Sequence, residues 1–510
     1  MQMRNAVLVG AVLGSACASG AAPYSIVEKA VQPGDALFAL PLWPAQLPVG
    51  NTGFAYTLSM PAGTNLWKVP LPAEPAAPVC LDFSEPVFYV RAAPASSAHR
   101  NDWVIFIPGG GSVQSLDGAL TGWFEGAHGE MSSRWAPPSI GPGGILDPLD
   151  VRNPFAEFNM VFIHKCSYDR FMGRRLSYAE TTRTNRAIAG VIPGGSSMEV
   201  GVMLAAGTTV KLAFRGHDIV DGVIDALADS TVDYDDGNGP VTMPSLADAD
   251  TVLFIGHSGG SRGATMIVDE VAARIHGSAP SADVRLVMDA GFDPGAESVV
   301  NGATYPATSY PTFDPANGGA PLDTAADLLS GFTSIWNADG DATCLANEAN
   351  DAVCGDVFHV LMNWVETPMF VRQDLADVGH NTGKNAAGDD VADCWQTPWD
   401  TDPDTCYGDT FAQAGAVLDQ IDDLALMRSQ ALTHTVLGTT LKPPSGFFPA
   451  CGYHNGAQTD AGFYSTLTTT LGLSGSYATT LWLWYLHPNL PIRPVEGTPP
   501  AVIPTACPPL

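Results

Sequence analysis

The sequence predicts an α/β fold with a mostly parallel central sheet flanked by helices. One observation is that short apolar, β-branched runs alternate along the chain with segments whose apolar residues have helical spacing. The other is a Gly-rich corner, Gly256–Gly260, which stands between such a run and a helical pattern near the middle of the chain. The order of these elements predicts one large domain with insertions.

The first 78 residues are expected to lie outside this domain. Residues 1–18 combine Arg4, an apolar centre and the ending Ala16-Cys17-Ala18, which is the pattern of a secretory signal peptide. Cys17 leaves open an alternative as a lipid-anchored residue. Residues 19–78 are rich in Pro and Ala, and they predict an extended N-terminal segment with an edge strand or two. Residues 79–510 then form the main domain, with insertions near 295–360 and 384–440.

Cysteine usage agrees with export. Without Cys17, eight of the nine cysteines remain, an even number in a chain with a leader. Two pairs are close enough in sequence for local disulfides within the insertions, namely Cys344 with Cys354 and Cys394 with Cys406. The other four, whose pairing the sequence leaves open, are Cys80, Cys166, Cys451 and Cys507. No C-x-x-C or His/Cys pair has metal-ligand spacing, so neither a metal site nor a cofactor is expected.

Charge and hydropathy exclude several classes of partner. The formal net charge of −30 repels polyanions, so neither nucleic acid nor an acidic membrane is an expected partner. No apolar run after the leader is long enough to span a bilayer. We therefore expect a secreted or periplasmic protein, whose oligomeric state stays open.

The strands and helices follow in order from composition and periodicity. Strands are predicted at 87–91, 103–107, 159–165, 251–256, 284–289 and 367–373. Helices are predicted at 216–230, from the corner to about His276, at 409–434 and at 477–485.

The corner itself matches a nucleophile elbow. Gly256, Ser258 and Gly260 fit the G-x-S-x-G pattern, in which a tight turn between strand and helix leaves no room for Cβ atoms beside the serine. Such an elbow is typical of an α/β-hydrolase-like fold. Unpaired N–H groups at the start of the helix would also stabilise an oxyanion beside Ser258. The alternative is a structural turn in which Ser258 only caps the helix.

A serine nucleophile needs a base and an acid, which follow it along the chain in this fold. His454 is the best candidate base, because it lies three residues after Cys451 and a disulfide could hold that turn in place. Asp377 is a candidate acid just past a predicted strand end. Asp374 and Asp289 are alternatives.

Residues 109–111, three glycines after a strand, suit an oxyanion hole, because backbone N–H groups can approach a substrate where side chains are absent. A phosphate-binding loop is the alternative, but no Lys-Ser/Thr follows the glycines.

Beyond these features, the chain resembles the pectin acetylesterase family, which includes the Notum-like carboxylesterases. The matching segments are Cys80–Ser84 with Tyr89, Trp103–Gly111, Gly144–Leu146, Asn153–Phe155, Asn159–Gly173, Gly256–Gly260, Asp289–Phe292, Thr367–Phe370 with Asp377, Phe448–His454 and Trp484-Tyr485. The resemblance implies a catalytic triad of Ser258, Asp377 and His454. It also implies oxyanion N–H groups from Gly110, Gly111 and Gly259, and it removes Asp289 from the candidate acids.

Two departures bear on the substrate. The family usually has Trp-Cys after the glycines, whereas this chain has Ser112-Val113, and Gly259 replaces the usual Ala. The resemblance implies a secreted serine ester hydrolase that deacetylates a polysaccharide, although the negative charge disfavours anionic pectin and favours a neutral glycan or a small acyl ester. The alternatives are a lipid or polyester esterase with a wider acyl pocket, and a non-catalytic glycan-binding protein on a hydrolase scaffold.

Overall fold

The computed structural model describes residues 64–71, 77–113, 118–119, 122, 127–181, 186–191, 199–204, 209–229, 232–291, 335–338, 340–348, 354–355, 357–374, 445–449, 454, 456–464, 467–468 and 474–489. Several sequence predictions lie outside these ranges. They are the leader, Asp377, the predicted helix 409–434, and Cys394, Cys406, Cys451 and Cys507.

The largest sheet within the described residues has nine strands, which are β1 (Leu66–Pro70), β2 (Val87–Arg91), β3 (Asp102–Ile107), β4 (Ser139–Ile140), β5 (Asn159–Ile163), β12 (Thr251–His257), β13 (Asp283–Asp289), β14 (Met369–Arg372) and β15 (Ser445–Phe447). Across the sheet they lie in the order β15-β14-β13-β12-β3-β5-β2-β1-β4. The strands from β15 to β5 run parallel, and β2, β1 and β4 add antiparallel pairs at one edge. The mostly parallel α/β sheet is therefore confirmed.

The remaining strands form two-stranded sheets. They are β6 (Arg175–Thr181) with β9 (Thr209–Phe214), β7 (Arg186–Val191) with β8 (Glu199–Leu204), β10 (Asp233–Asp235) with β11 (Pro240–Thr242), and β16 (Leu467–Thr468) with β17 (Ser474–Gly475). Strands β6 to β9 were not predicted from the sequence. Charged, polar or Gly residues interrupt their apolar residues, as in RLSYAET for β6 and EVGVML for β8, so they lack the continuous apolar runs of the central strands.

The helices are α1 (Gly216–Asp229), α2 (Gly259–Ser278), α3 (Ala342–Asn347), α4 (Val357–Asn363), α5 (Asp460–Tyr464) and α6 (Tyr477–Leu486). Short 3-10 turns occupy Ala127–Glu130, Gly144–Leu146 and Leu246–Asp248. None of the helices in the described ranges has the length and hydropathy that a bilayer crossing requires.

Both faces of the central sheet are buried, which explains why its strands are almost continuously apolar. Successive side chains of a strand point to opposite faces. In β12, Val252 and Phe254 pack in a core with α1 and α2, whereas Leu253 and Ile255 pack in a second core with α6. The carboxyl ends of the parallel strands lie side by side, and the candidate site is at these ends.

Two disulfides are present among the described residues. The local Cys344–Cys354 pairing is confirmed. Cys80 pairs with Cys166, across 86 residues, and ties the segment before β2 to the end of β5. Disulfides of this kind are typical of proteins from oxidising compartments.

Candidate active site

The turn at Ser258 has the geometry of a nucleophile elbow. Strand β12 ends at His257, α2 begins at Gly259, and Ser258 between them has φ 51° and ψ −122°, a strained conformation for a residue with a side chain. A Cβ on Gly256 would lie 2.5 Å from Ser261 Cα, and one on Gly260 would lie 2.3 Å from the Pro108 carbonyl oxygen. Both glycines are therefore required by close backbone approach.

The Ser258 side chain faces His454. Ser258 Oγ lies 2.8 Å from His454 Nε2, although the two residues are 196 positions apart. The Ser258 side chain makes no capping hydrogen bond to α2, so the alternative in which it serves only as a helix cap does not hold. The described contact is the one that a general base needs in order to accept the serine proton.

The glycine loop after β3 packs directly against this turn. Strands β3 and β12 are parallel, with Ile107 opposite Gly256, so the loop emerges beside the serine. A Cβ on Gly109 would lie 2.6 Å from Ser258 Cβ, and one on Gly259 would lie 2.5 Å from the Gly110 carbonyl oxygen. Gly110 also has φ +116°, in the region that favours glycine. The structure thus brings Gly109 and Gly110 against Ser258 and Gly259, and Gly111 follows in the same loop.

A buried lysine is hydrogen-bonded to the backbone of the glycine loop. Lys165, just after β5, donates from Nζ to the Gly111 carbonyl oxygen and forms an ion pair with Glu130 Oε2 at 2.8 Å. A Cβ on Gly111 would lie 2.1 Å from the Tyr168 hydroxyl, so a side chain at this position would clash with the tyrosine. Burial lowers the pKa of Lys165, and Glu130 opposes that effect. This lysine was not predicted as a site residue, and its signal in the sequence was a cation at the carboxyl end of a parallel strand.

Replacing Lys165 with Met is expected to lower kcat about 10- to 100-fold with little change in KM, because the loop loses the donor that orients its Gly111 peptide. Steady-state kinetics on a soluble ester measures the effect. Lys68→Met is the matched control, since Lys68 also donates to a carbonyl, that of Ala136, but projects from the edge strand β1. Equal kcat for both variants and wild type would contradict a role for Lys165.

A strained loop places a second cation beside the glycines. Tyr168, Arg170 and Phe171 all have φ between 53° and 62°. The Asp169 carboxylate stabilises this loop by accepting hydrogen bonds from the Phe171 and Gly216 amides. Arg170 Nε donates to Ser112 Oγ at 3.0 Å, at the position next to the glycines. The guanidinium thus borders the candidate site despite the strongly negative charge of the whole chain.

The two alternative acids make other contacts. Asp289 Oδ2 accepts from His257 Nδ1 at 2.8 Å and from the Ala457 amide at 3.0 Å. The Asp374 carboxylate accepts from Arg372 Nη2. Asp377, the acid that the family resemblance favours, lies outside the described residues, so its role stays a prediction.

Among the described residues, no group of three or more His, Cys, Asp or Glu side chains is placed to hold a metal ion.

Comparisons with known proteins identify the family. Residues 69–492 match the Pectinacetylesterase family. The fold is similar to two crystal forms of the Wnt deacylase Notum from Drosophila. Form II has a TM-score of 0.56 and 18% identity, over 85% of this chain and 96% of that chain. Form I has a TM-score of 0.55 and 17% identity, over 86% of this chain and 100% of that chain. Among curated proteins, no sequence matches this chain significantly.

The match covers the glycine loop, the Ser258 turn and His454, and it extends over most of the chain. The chain therefore belongs to the pectinacetylesterase family and is an ester hydrolase.

Proposed function

We propose that this ester hydrolase is a secreted serine esterase that uses Ser258 as its nucleophile. The observation that carries the proposal is the 2.8 Å contact between Ser258 Oγ and His454 Nε2, at a strained turn that opens a helix. The two disulfides support an exported protein, as the leader-like residues 1–18 do.

In the proposed first step, Ser258 Oγ attacks the ester carbonyl carbon while His454 Nε2 accepts the hydroxyl proton. The carbonyl oxygen becomes an oxyanion, which the N–H groups of Gly110, Gly111 and Gly259 stabilise as hydrogen-bond donors. Asp377 orients the His454 ring, as the family resemblance implies. The intermediate collapses, the alkoxide takes the proton from His454 and leaves as an alcohol, and Ser258 stays acylated.

In the second step, water attacks the acyl-enzyme. His454 accepts a proton from the water, and a second tetrahedral intermediate forms at the same oxyanion site. As it collapses, the bond between the acyl carbon and Ser258 Oγ breaks, Oγ takes the proton back from His454, and the carboxylic acid is released. Neither step needs a redox partner, because only acyl and proton transfers occur.

Acetyl groups on a polysaccharide are the proposed substrate class, and a neutral glycan or a small acyl ester is favoured over anionic pectin. A net charge of −30 opposes the approach of a polyanion. One observation favours a second candidate, a lipid or polyester esterase. Ser112 stands where the family usually has Trp, and the smaller side chain leaves less of a wall beside the exposed Gly111.

The test is hydrolysis of 4-nitrophenyl esters from acetate to palmitate by the purified mature protein and by Ser258→Ala. Activity confined to acetate and lost in the variant would support the deacetylase. A maximum at longer acyl chains would favour the lipid or polyester esterase. If the wild type were as inactive as the variant on every ester, the serine-esterase proposal would fail and a glycan-binding role would replace it.

A further inference from the structure

A buried carboxylate behind the candidate site connects the nucleophile turn to the base. Asp289 ends β13, is fully buried, and lies opposite His257 in the parallel pairing with β12. Its Oδ2 accepts hydrogen bonds from His257 Nδ1 and from the Ala457 amide. His257 directly precedes Ser258, and Ala457 follows His454 by three residues. One carboxylate oxygen thus holds both halves of the candidate site.

The other carboxylate oxygen extends the connection to β14. Asp289 Oδ1 lies 3.5 Å from Arg372 Nη1, and the same nitrogen donates to the His454 carbonyl oxygen at 3.2 Å. Arg372 Nη2 also donates to the buried Asp374. The backbone of His454 is therefore tethered to a guanidinium whose position two carboxylates determine.

The packing leaves this arrangement little freedom. A Cβ on Gly456 would lie 2.5 Å from Asp289 Oδ1 and 2.6 Å from Arg372 Cζ, so the segment after His454 rests directly on the ion pair. The main chain contributes too, because the Ser258 amide donates to the Asp289 carbonyl oxygen at 2.8 Å. Both the main chain and the side chain of Asp289 contact the catalytic segments.

The charges around Asp289 come from several elements. His257 faces it from β12 and Arg372 from β14, with Asp374 two residues after that strand. The Tyr477 hydroxyl faces it from α6, and burial and the negative charge of Asp289 raise the pKa of this tyrosine. The His257 and His454 rings are 5.1 Å apart between centroids. An imidazolium formed at His454 during the reaction would therefore lie close to a charged network as well as to the reacting serine.

We propose that Asp289 is a positioning residue for ester hydrolysis, which holds Ser258 and His454 in register through His257, Ala457 and Arg372. This inference rests on the proposed function. In it Asp289 acts through its neighbours, and it is distinct from the acid that orients the ring of the base.

The test is Asp289→Asn in the mature protein, a change that keeps the side-chain volume and removes the charge. We expect kcat to fall about 10- to 100-fold while KM changes less than about threefold, because the geometry for attack is lost and substrate contacts remain. We also expect the ascending limb of kcat/KM against pH to shift to lower pH by about one unit, since the imidazolium loses a nearby negative charge.

Asp102→Asn is the matched control. Asp102 is also a buried carboxylate bonded to a histidine Nδ1, that of His99 at 2.8 Å, and to the Tyr485 hydroxyl, but it begins β3 and so lies at the end of the parallel strands that is away from Ser258. We expect this control to lose thermal stability without a shift of the pH profile. Folded Asp289→Asn protein with the kcat and pH profile of the wild type would overturn the inference.

If the Asp289→Asn variant does not fold, the Arg372→Lys variant tests the positioning role instead. Lysine keeps the positive charge, but one ammonium cannot reproduce the contacts of a guanidinium fork. A lower kcat with unchanged KM supports the inference, and wild-type kinetics overturn it. The two proposals fail separately, because hydrolysis that survives in Ser258→Ala refutes the esterase mechanism, whereas a silent Asp289→Asn beside an inactive Ser258→Ala refutes only the positioning role.

Discussion

Replacing Ser258 with Ala is expected to lower kcat for ester hydrolysis by about 10⁵-fold. The variant loses the oxygen that forms the acyl-enzyme, while the oxyanion donors and the binding surface stay in place. The Ser258 side chain makes no capping hydrogen bond to α2, so its removal costs the helix no such bond and the fold should persist. Initial rates with 4-nitrophenyl acetate and the melting temperature measure the two quantities.

Ser261→Ala provides the matched control for that experiment. Ser261 is fully buried in the first turn of the same helix, and its Oγ has no hydrogen-bond partner among the described atoms. Its replacement should leave kcat within about twofold of wild type, because no hydrogen bond is lost. If both serine variants retained activity, Ser258 would not be the nucleophile.

The second large effect is expected for His454→Ala, with kcat reduced by about 10⁴- to 10⁶-fold, since Ser258 would lose the group that accepts its proton. The double variant Ser258→Ala/His454→Ala should be no slower than the slower single variant. Residues that act as one unit lose their joint contribution when either is removed. Multiplicative losses in the double variant would show that the two side chains act independently and would contradict the proposed pair.

Local patterns predicted most of the fold on which this site is built. The central strands are buried on both faces, so their runs of apolar residues are visible without knowledge of their partners. The observed bounds of β3, β13, α1 and α6 agree with the sequence predictions to within one or two residues. Strands β6 to β9 were missed because charged, polar or Gly residues interrupt their apolar residues, so no continuous apolar run marks them.

The residues of the candidate site could also be predicted only in part from the sequence. Ser258 and its flanking glycines could be recognised because an elbow imposes steric demands on five consecutive residues. His454 was selected from several histidines by its surroundings and by the family resemblance, and only the folded chain brings it to 2.8 Å from Ser258. Lys165 and Asp289 could not be assigned their contacts from sequence, since Gly111, His257 and Arg372 come from other segments of the chain.

The sequence by itself thus determined the α/β class, the position of the Ser258 turn, the glycines that the turn requires and the closeness of Cys344 to Cys354 that permits a local disulfide. These features depend on the conformations of neighbouring residues and on the pattern of apolar side chains, and both can be read from short segments of the sequence. The tertiary structure alone decided that Cys80 pairs with Cys166, that Lys165 bonds to the glycine loop and that Asp289 joins the Ser258 turn to the segment after His454. Those contacts form only when the parallel strands align, because the alignment brings together strand ends that are far apart along the chain.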